Sequence, residues 1–511
     1  MPGATTLSFV TTLPLIVTST DEKELDARFN AGMRLLNACL GEAQSRIQLV
    51  RVSEAYQAAR KMPSATKRQK AARGKAFSAA RKAYRFTDYD LQAFACRVAD
   101  ESKWIAQKLD KQCIQKIATR AFKAVERILF GQAKQIRFKV PQRFRSMEGK
   151  SNGQGIRWHK GQFVWGRLRL SPLIDKNDPV LLHGLNSPIK YVRLLRKELK
   201  GKVRYYAQLI NEGLPFQKPK NYVSEGLVGI DLNVSNVAVV GDDYAELMPL
   251  AEKVPTYQTE IARLQRQMQR SQRTNNPDAY EPNFEAQKGR KTVIKKGKIK
   301  KGRRQLINSN RYRKAAARKR ELERRKAEYA KSQNRKLVND TLRMGNRIKT
   351  ENVSVKGWQK RWGKAISAKS PGFFISELVR KAESAGGQVT MFSTQKTALS
   401  QTHLSGERIK KSLSQRTHQD VMGFWMHRDL FSAFLSRHVV EDELLLQSAQ
   451  YEWTGLEQVL MEAWQRFNRQ SANRVSVAES GQAQPPSERI SIDLEKSGQI
   501  GAPRGAVRQA G

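Results

Sequence analysis

The stretch Leu227-Val228-Gly229-Ile230-Asp231-Leu232-Asn233, followed after a short turn by Val237-Ala238-Val239-Val240-Gly241, constrains this chain more than any other. Its apolar residues run on without the alternation of a half-buried strand, and turn signals bound them, so it reads as a strand covered on both faces. Asp231 sits inside that run. An ionised carboxylate there needs a hydrogen-bonded partner or a metal ion to offset its desolvation. On this stretch alone, a strand-end Asp capping a turn is the other reading.

Charge narrows the partner class. The 511 residues carry a formal net charge of +47 with a pI near 10.4, a self-repelling surface that polyanions, nucleic acid above all, would neutralise. The length suggests three or four domains. No apolar run approaches the ~20 residues of a spanning helix, and the early run Leu13 to Val17 lacks a basic n-region and a cleavage site. The expectation is a soluble, cytoplasmic protein with no membrane partner. Cys39, Cys96 and Cys113 match no zinc spacing and read as small buried hydrophobes of a reducing compartment.

Along the chain, Leu7 to Thr18 has a strand composition, bent or at an edge because of Pro14. Asp21 with Glu24 resembles a capping-box start to an amphipathic helix through Leu40, and a second helical block opens after Thr87 and runs to Leu129. The basic Arg60 to Arg85 between them suits phosphate contact. From Ile136 to Tyr222 the period becomes that of strands: Ile136–Val140, Ile156–His159, Phe163–Trp165, Leu168–Leu170, Tyr191–Leu195 and Val203–Ala207. Basic and aromatic residues interleave there, as stacking and phosphate contact require. His159 and His183 read as structural. Lys288 to Lys326 holds 19 Lys or Arg against two acids, and reads as a segment that orders on nucleic acid, helix-favouring in its second half. Ile366 to Ala385 predicts a helix, Val389–Phe392 a strand and His427–Leu435 a helix with Asp429 in its first turn. His403 and His418 without any Cys make a poor zinc set. Ser471 to Gly511 has the composition of a disordered tail.

Asp231, Glu351 and Asp429 gain weight together. A first-strand Asp, a Glu after a later strand and an Asp opening a C-terminal helix are what an RNase H-like sheet needs to converge three carboxylates. Oxygen-only ligands suit Mg²⁺ or Mn²⁺, and two such ions ~4 Å apart can support phosphodiester hydrolysis.

Gly229-Ile230-Asp231-Leu232 with Val237-Ala238-Val239 resembles the first RuvC motif of the TnpB (OrfB) proteins of insertion sequences, relatives of the type V CRISPR effectors. Glu351-Asn352-Val353-Ser354-Val355-Lys356-Gly357 resembles the second motif, Ser400-Gln401-Thr402 the segment before the first zinc-ribbon Cys, and Arg428-Asp429 with Ser432-Ala433 the third motif. The resemblance covers residues 226–440 closely and implies an α/β RNase H-like (RuvC) nuclease domain C-terminal to a β-rich wedge domain with an inserted α-helical recognition domain. The implied limits are a wedge strand over 1–20, a helical recognition domain over 21–135 and the β-rich wedge over 136–222. They continue with RuvC over 223–440, including a basic helical insertion near 270–345 and a Cys-free ribbon region near 396–426, then a C-terminal helix over 441–470 and a tail over 471–511. It further implies Asp231, Glu351 and Asp429 as catalytic ligands of Mg²⁺ or Mn²⁺, a guide RNA, double- and single-stranded target DNA, a nucleoid-associated place in a prokaryotic cytoplasm, and cleavage directed by base pairing. His403 stands where the first ribbon Cys is expected, so no structural zinc is expected.

Two other readings accompany this one: an RNA-guided DNA-binding protein with weak or lost nuclease activity, acting as repressor or targeting factor, and a basic structural RNA-binding protein. The second leaves Asp231 unexplained.

Overall fold

The first long helix, Ser19–Val52, starts earlier than Asp21 and Glu24 suggest, because Thr18 is its N-cap and Asp21 closes the capping box. The computed structural model describes residues 6–289, 291–300, 302, 306–412 and 415–479. The chain is mixed α/β, and its contacts divide it after Phe216 into two units.

In the first unit, further helices Asp88–Glu101 and Lys111–Leu129 replace the single block that follows Thr87, with a short turn of helix, Trp104–Lys108, between them. They pack with Ser19–Val52 around Leu25, Phe29, Leu36, Ile114 and Ile117. The basic Lys67–Ala83 is helical and capped by Thr66. Strand Ser8–Pro14 pairs antiparallel with Lys202–Glu212, which pairs with Ile189–Leu199 and that in turn with Ser146–Glu148. Ile156–His159, Gln162–Trp165 and Leu168–Leu170 form a separate three-stranded sheet. The alternation at Ile136–Val140 makes no strand. There the Asn37 amide bonds both the N–H and the carbonyl of Lys139, 2.8 and 2.9 Å, satisfying locally what a ladder would otherwise satisfy. Cys39 and Cys113 are core residues, and burial pushes the Cys39 thiol up to about 12.

The second unit is built on a five-stranded sheet. In chain order its strands are β1 (Leu227–Leu232), β2 (Asn236–Val240), β3 (Ala245–Pro249), β4 (Arg347–Glu351) and β5 (Gln388–Phe392). The spatial order is β3-β2-β1-β4-β5, with β1, β2 and β3 antiparallel and β4 running parallel to both β1 and β5. Val228, Ile230, Leu232, Val237, Val239 and Ile348 pack on one face against Val338 and Leu342 of helix Asn310–Leu342 and Phe374 and Leu378 of helix Pro371–Ser384. Ala238 and Val240 pack on the other against Leu430, Phe434 and Trp453 of helices Arg428–Arg437 and Leu446–Glu479. Coverage of both faces is why the β1 and β2 runs are apolar at nearly every position.

The predicted helix from Ile366 is two helices, Val355–Lys369 and Pro371–Ser384, separated by Ser370 at φ 54° before Pro371, since a residue before proline is held out of the α region. The basic insertion forms a hairpin, Phe284–Lys288 with Lys291–Lys295, and its second half is helix Asn310–Leu342. That helix packs Ala315 and Leu322 on Leu264 of helix Gln258–Asn275. The C-terminal helix continues past residue 470 to Glu479, through a stretch with no Gly or Pro to stop it. The predicted tail beyond Glu479 and residues 1–5 lie outside the described residues. Among the described residues no helix is long and apolar enough to cross a membrane.

Candidate metal centre

Strand alternation decides which way the first two acids point. Ile230 and Leu232 face the cluster around Phe374, so Asp231 and Gly229 face helix Arg428–Arg437. Gly229 is what lets that helix lie directly on β1: a Cβ there would collide with the Ala433 carbonyl oxygen and come within 2.5 Å of Ser436 Oγ. In β4 the same parity sends Lys349 and Glu351 toward the helix, and Lys349 Nζ donates to the Arg437 carbonyl at 2.8 Å. Thr350 pairs with Ile230 in register, so Glu351 and Asp231 are neighbours at the carboxyl ends of adjacent parallel strands, where α/β sheets place their ligand sites. The expected run from Glu351 to Gly357 is thus divided: the strand ends at Glu351 and a helix begins at Val355.

Asp429 arrives from the helix side. His427 caps helix Arg428–Arg437, its Nδ1 accepting from the Asp429 N–H at 3.2 Å. Asp429 is buried, and its Oδ2 has no hydrogen-bond donor among the described residues. Two guanidinium groups stand near it: Arg416 Nη1 at 3.5 Å from Oδ2 and Arg428 Nε at 3.6 Å from Oδ1. Arg428 is itself tied to the Ser412 carbonyl at 3.0 Å, whereas the Arg416 side chain is half exposed.

The charges of both other acids reach Asp231. Burial pushes the Asp231 carboxyl well above the ordinary carboxylate range, and the charges of Asp429 and Glu351 push it further, against the pull of Arg428 and Arg416. The partner seen for Asp231 is Asn233 Nδ2 at 3.4 Å. Burial lifts the Glu351 carboxyl to about 7. The three acids offer oxygen ligands only, with the Arg416 and Arg428 guanidinium groups beside Asp429; oxygen donors suit hard divalent cations. Arg416 had no signal in the sequence beyond one basic residue among many, because its place depends on residues 416–419 pairing back on 425–428 at the start of the helix.

His403 and His418 come together with Asp420, which the sequence did not single out. All three are buried, and their ligand-type atoms lie within 4.8 Å of one another.

No family model matches this chain, and no curated protein matches it. Solved structures do. The chain is similar to a Cas12f1-sgRNA-target DNA complex at 9% identity and a TM-score of 0.40, over 84% of this chain and 98% of that one. It is also similar to a CRISPR-Cas12f ternary complex at 10% identity and a TM-score of 0.28, over 81% of each chain.

Proposed function

We propose that this chain is an RNA-guided DNA endonuclease of the TnpB type, cutting target DNA by metal-dependent phosphodiester hydrolysis in an RNase H-like (RuvC) domain. The observation that supports the reading is that Asp231, at one strand end, feels the charges of Glu351 at the neighbouring strand end and of Asp429 at a helix start, with Asp429 Oδ2 buried and without a hydrogen-bond partner among the described residues.

Asp231 and Asp429 would hold Mg²⁺ or Mn²⁺, with Glu351 completing the set. When bound, such ions supply the Lewis-acid charge that phosphodiester hydrolysis needs. The chain's own residues do the rest. Gly229 fixes the separation of the two aspartates by letting helix Arg428–Arg437 sit on β1. Glu351, lifted to about 7, is one carboxyl whose proton leaves on loading near neutral pH. Arg416, half exposed beside Asp429, offers a guanidinium to a phosphate at the same mouth.

The partners we assign are guide RNA and target DNA, double- and single-stranded. They suit a charge of +47 spread over several regions, including the hairpin at 284–295 and helix Lys67–Ala83, better than a single recognition element would. The wedge, recognition and transposable-element assignments rest on the motif resemblance, as does the cytoplasmic, nucleoid-associated location.

Arg416 also favours a second reading, a guided DNA binder with weak or lost cleavage, because its charge competes with a cation for Asp429. One experiment separates the two. RNA copurifying with the full chain is sequenced, a duplex matching its 3′ segment is prepared, and cutting is followed with Mg²⁺. The parent should cut and Asp231→Ala should bind the RNA without cutting. Protection of the target without a cut by the parent supports the binder, and cutting by Asp231→Ala at the parental rate removes the catalytic assignment.

A further inference from the structure

Among the described residues of 402–427, the polar His403, His418 and Asp420 are buried beside Leu404 and Met426. Asp420 Oδ2 accepts from the Leu404 N–H at 2.9 Å and from His418 Nε2 at 2.9 Å, and Oδ1 accepts from the Met422 N–H at 3.0 Å. His403 Nδ1 accepts from the Val421 N–H at 3.1 Å. On the outer side Lys411 Nζ bonds His418 Nδ1. The protons can therefore be assigned from the network. An ammonium donates to His418 Nδ1, so the imidazole carries its proton on Nε2 and gives it to Asp420. One positive and one negative charge close on each other through a neutral ring.

Two buried histidines and an aspartate of this spacing invite a transition-metal ion, and the cysteines of a ribbon are missing from the region. The residues do not fit one. The free lone pair of His418 is used by Lys411 and both oxygens of Asp420 by three donors; His403 Nδ1 accepts from Val421 N–H, which leaves its buried Nε2 as the one ring nitrogen of the cluster with no hydrogen-bond partner among the described residues. A divalent ion would have to displace backbone donors and stand beside an ammonium.

We propose that Lys411, His418 and Asp420 form a metal-free clasp, with the Lys411 ammonium as its cation, that fixes this connection and thereby sets where Arg416 stands at Asp429. The route from clasp to site is short. His418 stacks on Phe431 at 4.3 Å between ring centroids, so the clasp sits on the helix that begins at Arg428. Thr417, next to His418, pairs with His427, the cap of that helix. Arg416 precedes Thr417, and its carbonyl accepts from the Arg428 N–H at 2.8 Å. Through His418, Lys411 and Asp420 thus act on strand Thr417–Gln419, which follows Arg416 directly. They are positioning residues, acting on the carboxylates through Arg416.

The test uses the full chain. Expressed with zinc in the medium and analysed by inductively coupled plasma mass spectrometry, it should hold less than about a tenth of a zinc per chain. One zinc per chain, lost in His403→Ala, overturns the proposal. Mn²⁺ titrations then read the positioning, an arm that rests on the carboxylate reading. Arg416→Ala should tighten Mn²⁺ by roughly threefold by removing a competing charge, Lys411→Ala should shift it in the same direction, and the double variant should go no further than Arg416→Ala. Lys411→Arg should stay at the parental value. Additive shifts, or an Arg416→Ala shift that Lys411→Ala does not share, overturn it. Amide exchange at Leu404 and Met422, faster in Lys411→Ala, reads the clasp without any ion. Parental Mn²⁺ binding that is absent while this exchange difference holds would sink the carboxylate reading and leave the clasp standing.

Discussion

The carboxylate centre and the clasp lie on either side of one helix start and solve the same physical problem in opposite ways. Both bury acids. At the clasp, Asp420 would rise on burial, yet the bonds from His418, Leu404 and Met422 hold it below the ordinary carboxylate range. At the centre, burial and like charge push Asp231 up, burial lifts Glu351 to about 7, and Asp429 Oδ2 has no hydrogen-bond partner among the described residues. A buried acid whose lone pairs are filled stabilises the fold; one left short of donors destabilises it. On the proposed function, the difference separates a part that holds from a part that binds.

The largest effect expected is where β1 meets helix Arg428–Arg437. Gly229→Ala forces a methyl into the Ala433 carbonyl, and overpacking against backbone should destabilise the second unit by about 3 kcal/mol or more, seen as a lower midpoint in urea unfolding. An unchanged midpoint would mean that helix Arg428–Arg437 does not lie on β1 so closely. Next, Asp420→Asn leaves His418 and two N–H groups poorly matched and should cost about 2 kcal/mol in the same assay. Asp231→Asn should do the reverse. Removing one of three crowded charges should stabilise the ion-free chain by roughly 1 kcal/mol while cleavage is lost. If both substitutions destabilise alike, the two clusters are not opposites.

How far this was legible in the sequence follows from the same contrast. β1 and β2 were readable because coverage on both faces leaves an apolar run, and Asp231 stood out inside it. The strand before Glu351 was obscured because Lys349 and Thr350 sit within it; Lys349 threads to the Arg437 carbonyl and Thr350 is buried among apolar neighbours. Periodicity cannot announce a lysine whose head group finds a carbonyl on another element. The alternation at Ile136–Val140 misled for the complementary reason, a side-chain amide having replaced the ladder. Lys411, Arg416 and Asp420 left no trace, because a polar connection has no period and its contacts are set only once residues 402–428 fold onto Phe431.

Titration gives the contrast its sharpest form. Glu351 has a folded value near 7, above the ordinary 4.5, so its contribution to stability is present at low pH and is lost as pH rises through 7. His418 is pulled by burial from 6.5 to about 4, so its contribution is present above 6.5 and is lost as pH falls through 4. The ion-free centre therefore weakens the fold on the alkaline side, where the clasp is intact. That is the side on which a cation should bind.

The most direct measurement is calorimetric titration of the full chain with Mn²⁺ at pH 6 and pH 8, in two buffers of different ionisation heat, for the parent and Asp231→Asn. The expected result is binding that tightens by about tenfold or more from pH 6 to pH 8 with protons released, and that Asp231→Asn weakens by at least about tenfold. Mn²⁺ affinity indifferent to pH and to Asp231 would contradict a metal centre built on these three carboxylates.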